Sequence, residues 1–116
     1  MVWHLVLMKP RPDLTIADRQ ALLRAFDVAV REIPTVRDVH VGRRVTHGAA
    51  YEQTAPDVAD YMVSIAFDDL DGLHTYLRHP LHEELGRRFY QSVSAGLAYD
   101  FEVEGAAGLT RLTTAP

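Results

Sequence analysis

Tyr76-Leu77-Arg78-His79-Pro80-Leu81-His82 gathers a phenol and two imidazoles around one proline. An imidazole with a reference pKa of about 6.5 accepts a proton near neutral pH, and burial favours its neutral form. A phenol, with a pKa of about 10, stays protonated there and donates to an oxygen that is gaining negative charge. The pair could therefore run general acid–base chemistry next to a carbonyl, with His82 as base and Tyr76 as proton donor.

Proline decides how the two side chains are held. It lacks an N–H and disfavours the α conformation in the residue before it, so a helix over Asp69 to Arg78 ends near His79. A second helix starts at Pro80, where the missing donor costs nothing. Helical spacing from His82 runs through Leu85, Gly86, Phe89 and Val93, which turns this imidazole inward. Tyr76 lies beside the stripe Leu70, Leu73 and Leu77. The break lets ring and ring converge.

A metal reading of His74, His79 and His82 is weak. No carboxylate stands at a completing position, and the proline disrupts the register between His79 and His82. No metal and no cofactor are expected. His74 reads as part of a solvated face, and His79 as the cap of the following helix.

The remaining elements follow from periodicity. Val2 to Lys9 is a strand with apolar residues on both faces: Val2, Val6 and Met8 on one, Trp3, Leu5 and Leu7 on the other. His4 interrupts the first set, either as a core histidine bonded to a neighbour or as a pocket residue facing His82 or a ligand. Thr15 with Asp18 resembles a capping box, opening a helix with Leu22, Leu23, Phe26, Ala29, Val30 and Ile33 on its apolar stripe and Arg19, Arg24, Asp27 and Arg31 largely off it. Pro34 stops it. Val36 to Val45 reads as a second strand, Thr46 to Val58 as a long loop and Ala59 to Phe67 as a third strand. That third strand puts Tyr61, Val63, Ile65 and Phe67 on one face and the small set Met62, Ser64 and Ala66 on the other. Leu97 to Val103 alternates a greasy face with a polar one that carries Asp100. Residues 104–116 read as a flexible tail behind a domain of residues 1–103. A pocket between helices and sheet, lined by His4, Tyr61, Ser64, Tyr76, His82 and Phe89, is the expected substrate site.

The order strand, helix, strand, strand, broken helix, strand is the ferredoxin-like α+β arrangement: a four-stranded antiparallel sheet with helices on one face. The early histidine-bearing strand, Ile33-Pro34, the strand with Gly42, Tyr-x-x-His-Pro-x-His and the closing Tyr99-Asp100-Phe101-Glu102 together resemble the stress-responsive α/β-barrel (Dabb) family across residues 2 to 103. Within that family the motif is similar to that of plant polyketide cyclases that close olivetolic acid, whose catalytic tyrosine and histidine match Tyr76 and His82. The resemblance implies a dimeric α/β-barrel and cofactor-free aldol-type cyclisation, or a related proton abstraction beside a carbonyl. Most members of the family have no assigned activity. A non-catalytic dimeric module that binds a ligand or serves a stress response therefore stands as the alternative.

The totals bound the rest. A chain of 116 residues supports one domain with a modest core. Its net charge of −4, with arginines and carboxylates interspersed, argues against nucleic acid as a partner. With no cysteine, disulfides and thiolate chemistry are excluded. No window reaches the roughly 18 apolar residues of a membrane span, and Val2 to Met8 is too short for a signal core, so a cytoplasmic protein is expected.

One sheet face is left without helices. Four strands about 4.8 Å apart and about seven residues long present a face on the order of 450 Å², already a large exposed patch. Strands one and three are apolar on both sides, so a homodimer closed through the bare sheet faces is expected, with a gross gain of roughly 20 kcal/mol before association costs.

Overall fold

The structure, a computed structural model, describes residues 1–114. Its elements run β1 (Val2–Pro10), α1 (Ile16–Glu32), β2 (Asp38–Arg43), β3 (Tyr61–Phe67), α2 (Leu70–Arg78), α3 (Pro80–Ser92) and β4 (Val93–Glu102). The strands form one antiparallel sheet in the order β2-β3-β1-β4. This is the ferredoxin-like α+β fold.

Strand alternation sorts the two faces. Val2, Val6 and Met8 of β1 and Val63, Ile65 and Phe67 of β3 join Leu22, Phe26, Ala29 and Ile33, Leu73, Tyr76 and Leu85 in one core under the helices. Trp3, Leu5 and Leu7 turn to the opposite face, where they lie across from Phe101, Tyr99 and Leu97. Trp3 is 39% exposed and Tyr99 and Phe101 are each 50% exposed, so this face is apolar and uncovered within the single chain.

Helix ends follow the sequence closely. The Asp18 N–H donates to Thr15 Oγ1 at 3.1 Å, capping α1. Leu23 and Leu70, assigned to apolar stripes, are instead exposed. In α2 the buried positions are Gly72, Leu73 and Tyr76, so the tyrosine sits at the centre of the inward face and not beside it.

Element boundaries shift where backbone pairing overrides side-chain pattern. β2 is confined to Asp38–Arg43: the Val36 N–H turns back to the Ile33 carbonyl and the strand ladder starts beyond it. The Thr46 to Val58 loop contains a single helical turn at Ala50–Gln53, and Glu52 accepts from the His47 and Gly48 N–H groups. Gly48 has φ 86°, a left-handed conformation that glycine adopts without strain. β4 begins at Val93, immediately after α3, four residues earlier than the alternation of Leu97 to Val103 implies. Of the tail, residues 115 and 116 lie outside the described residues. Ala106–Thr113 forms a short helix, in which Arg111 pairs with Glu102 of the domain and with Glu104 of the tail itself.

Candidate active site

Asp69 caps α2 by accepting from the Gly72 N–H at 2.9 Å, and α2 runs until Pro80 forbids its continuation. His79 serves both helices. Its N–H closes the last turn of α2 on the Tyr76 carbonyl, and its Nδ1 accepts from the Leu81 N–H at 3.1 Å, capping α3. This imidazole is a structural cap.

The kink brings Tyr76 and His82 together, with ring centroids 4.8 Å apart and planes tilted by 58°. Phe67 backs the phenol at 5.3 Å and His4 approaches it from β1 at 5.9 Å. Tyr76 is 1% exposed. Burial raises its phenol well above the ordinary value of 10, so it is a proton donor and not a phenolate. Among the described residues the Tyr76 hydroxyl has no hydrogen-bond partner within the chain, yet no sealed side-chain polar atom is left unsatisfied. The hydroxyl oxygen therefore reaches accessible space.

His82 is half-buried, and its Nδ1 lies 3.2 Å from the Leu77 carbonyl. A carbonyl only accepts, so Nδ1 carries the proton and Nε2 bears the lone pair. Burial, and then the nearby His4, hold His82 below its ordinary value of 6.5, outweighing the upward pull of the Leu77 carbonyl and Glu83. At pH 7 the ring is neutral. A fixed neutral imidazole beside a protonated phenol is a base and a hydrogen-bond donor set for one substrate carbonyl.

His4 sits directly opposite Asp100 in the β1–β4 register, and its Nδ1 donates to Asp100 Oδ1 at 2.6 Å. The carboxylate fixes the His4 tautomer and turns its Nε2 edge away from β4. The order Asp100, His4, Tyr76, His82 is thus a continuous row of polar side chains from the sheet edge to the helix break. The sequence places Asp100 on the polar face of the last strand without linking it to the site. Its position across from a buried histidine becomes visible only once the strand register is known.

The other expected lining residues are placed elsewhere. Ser64 pairs with Leu5 and alternates with Val63 and Ile65, so it lies on the bare sheet face, away from His4, as does Ala66 across from Trp3. Tyr61 pairs with Met8, four residues along β3 from the Ile65 position that faces His4. Phe89 lies two turns beyond His82 and packs over Gly96, where an added Cβ would come within 2.6 Å of its ring. So His4, Tyr76 and His82 are brought together, and Ser64, Tyr61 and Phe89 are not part of that cluster. Among the described residues no group of three or more His, Asp or Glu side chains is arranged to hold a metal ion. No helix among them is long and apolar enough to cross a membrane.

A ferredoxin-like sheet whose broken second helix presents a buried tyrosine and a histidine defines an α+β barrel class. Residues 2–103 match the sequence profile of the stress responsive A/B barrel domain, and the chain belongs to that family. It is similar to olivetolic acid cyclase of Cannabis sativa, 24% identical over 103 residues that cover 86% of this chain and 94% of that protein. Among the solved structures that share its fold, one is a dimeric ferredoxin-like protein from Jannaschia sp. CCS1, with a TM-score of 0.71, 21% identity and coverage of 88% of this chain and 98% of that one. Another is hydroxynitrile lyase from Passiflora edulis, with a TM-score of 0.73, 11% identity and coverage of 90% and 94%. At these identities the two structures speak to fold alone.

Proposed function

We propose that this protein is a cofactor-free acid–base enzyme acting on a keto or polyketide-like substrate, in which His82 is the general base and Tyr76 the proton donor. The observation that carries the reading is the 4.8 Å approach of the two rings, with His82 Nδ1 committed to the Leu77 carbonyl. Nε2 removes a proton from the carbon next to a carbonyl. The released electron pair moves onto the carbonyl oxygen, which the Tyr76 hydroxyl stabilises by donation. The resulting enolate carbon attacks a second carbonyl of the same chain. The new C–C bond leaves an alkoxide, which takes its proton from the tyrosine or the imidazolium. The similarity to a cyclase over most of the chain supports a ring-closing reaction of this kind.

His4, held by Asp100, positions the phenol and shapes the electrostatics of His82. Two copies closing their bare sheet faces complete the barrel; the exposed Trp3, Tyr99 and Phe101, together with the dimeric description of the Jannaschia structure, support this assembly. A chain without cysteine suits the reducing cytoplasm.

One observation favours the alternative, a dimeric ligand-binding module without chemistry. A groove of about 710 Å³ lies against α1 with neither Tyr76 nor His82 in its walls. The separating experiment incubates a linear poly-β-keto thioester with wild type, His82→Ala and Tyr76→Phe and follows cyclised product by mass spectrometry. Product formed by wild type alone supports the enzyme. Thermal stabilisation by the thioester that is identical in all three, without turnover, supports the module.

A further inference from the structure

β4 is an edge strand, and one end of it is left open on the helix side. The residues of β4 across from Met8, Val6, His4 and Val2 are Gly96, Ala98, Asp100 and Glu102. In β1 this face is buried at all four positions. In β4 Phe89 packs over Gly96, but Ala98, Asp100 and Glu102 beyond it are exposed. The helical layer therefore ends over β1, and the polar row from His82 to Asp100 meets solvent along this strip.

The segment after β4 returns to the same strip. The Val103 N–H donates to the Met1 carbonyl at 3.0 Å, which closes the ladder, and the chain leaves the sheet at Glu104. From the short helix Ala106–Thr113, Arg111 reaches back with Nη1 to Glu102 Oε2 at 3.2 Å and with Nε to Glu104 Oε1 at 2.8 Å. Glu102 and Asp100 are two residues apart on one face, about 7 Å along the strand. Asp100 gives Oδ1 to His4, and among the described residues its other oxygen has no partner in the chain. The carboxylates of Glu104, Glu102 and Asp100 thus make a ladder leading to the site, and Arg111 holds the two rungs farther from it.

Leu109 and Leu112 of the same helix are 65% and 81% exposed. A 3₁₀ helix turns once in three residues, so the two leucines share a face. The helix lies beyond residues 2–103, which match the family, and is an addition to the domain.

We propose that Ala106–Thr113 is a strap for the acid–base site: Arg111 steps from Glu104 and Glu102 to Glu102 and Asp100, and Leu109 and Leu112 come down over Ala98 and the opening beside it. The step keeps two carboxylates on the guanidinium, so closure gives up no ion pair, and it takes two leucine side chains out of water. Gly105, where a Cβ would meet nothing, is the pivot. Expelling water from the opening strengthens the electrostatics within. That consequence for catalysis rests on the acid–base reading; the movement itself does not.

The absence of cysteine makes the movement measurable by cross-linking. Ala98→Cys with Leu112→Cys, both at exposed positions, should form a disulfide within one chain in a glutathione redox buffer. Adding Arg111→Gln should slow its formation at least about tenfold. In the oxidised form, modification of His82 by diethyl pyrocarbonate, followed by peptide mass spectrometry, should fall at least about tenfold and recover on reduction, while the exposed His47 reacts unchanged. Failure to form the bond, a bond between two chains, closure at the same rate with Arg111→Gln, or an oxidised protein whose His82 stays as reactive would each overturn the proposal. Deuterium uptake into 2-butanone reads the chemistry separately: wild type no faster than buffer would end the acid–base reading, and the disulfide and His82 shielding would still decide the strap.

Discussion

Tyr76 and His82 stand with ring centroids 4.8 Å apart across the His79-Pro80 break, and the imidazole is pinned through Nδ1 to the Leu77 carbonyl. The proline creates this relationship. It ends α2 and starts α3 at a new angle, so residues six apart in sequence meet although an unbroken helix would carry them to different faces. What the pair can do is set by burial, which keeps the phenol protonated and the imidazole neutral.

Tyr76→Phe should separate chemistry from stability. The phenol ring fills the core, but its hydroxyl has no partner within the chain among the described residues. Deleting the oxygen alone is expected to change unfolding free energy by less than about 1 kcal/mol while lowering turnover by roughly 10²- to 10⁴-fold. Urea denaturation alongside rate measurement checks both halves.

His82 should titrate below 6.5, and its ¹H–¹⁵N resonances should report the Nδ1–H tautomer at neutral pH. Between the lowered folded value and the unfolded value of about 6.5, the unfolded chain binds more protons, so stability attributable to this group is lost as pH falls through that window and is level above it. The acidic limb of any pH–rate profile should accordingly lie below 6.5. The raised phenol places Tyr76's own limb above pH 10. His4→Gln removes one of the influences that depress His82 and should move its titration upward.

Asp100→Ala should release the His4 ring. The 2.6 Å bond joins a buried imidazole to a carboxylate that is 43% exposed, so the expected stability cost is modest, about 1 kcal/mol. The clearer readout is spectroscopic: His4 should lose its fixed Nδ1–H tautomer.

Trp3 and Phe101 are cross-strand neighbours on the bare sheet face. Light scattering should give a species of twice the 13.0 kDa chain at micromolar concentration, and Phe101→Glu should halve it by placing a charge in an apolar contact. A wild-type species of 13.0 kDa would refute the dimer.

The fold was readable because its signals are local: the capped stripe of α1, the proline break and the alternation in β1 and β3 each constrain a few adjacent residues. Tyr76 and His82 were readable for the same reason, since one proline fixes both. Ser64 was misplaced because small side chains in a strand look like room for a ligand, while register puts them on the face opposite His4. Asp100 is legible as part of the last strand's polar face, but its pairing with His4 is not, because that partner lies ninety-six residues away.

The most direct test follows deuterium uptake from D₂O at the carbon next to the carbonyl of a simple acyl thioester or monoketone, whose hydrogens exchange slowly unaided. Wild type should accelerate uptake above buffer, with His82→Ala and Tyr76→Phe each losing at least about a hundredfold of that rate. Uptake by wild type no faster than buffer, or undiminished in His82→Ala, would contradict the assignment of this pair to acid–base chemistry.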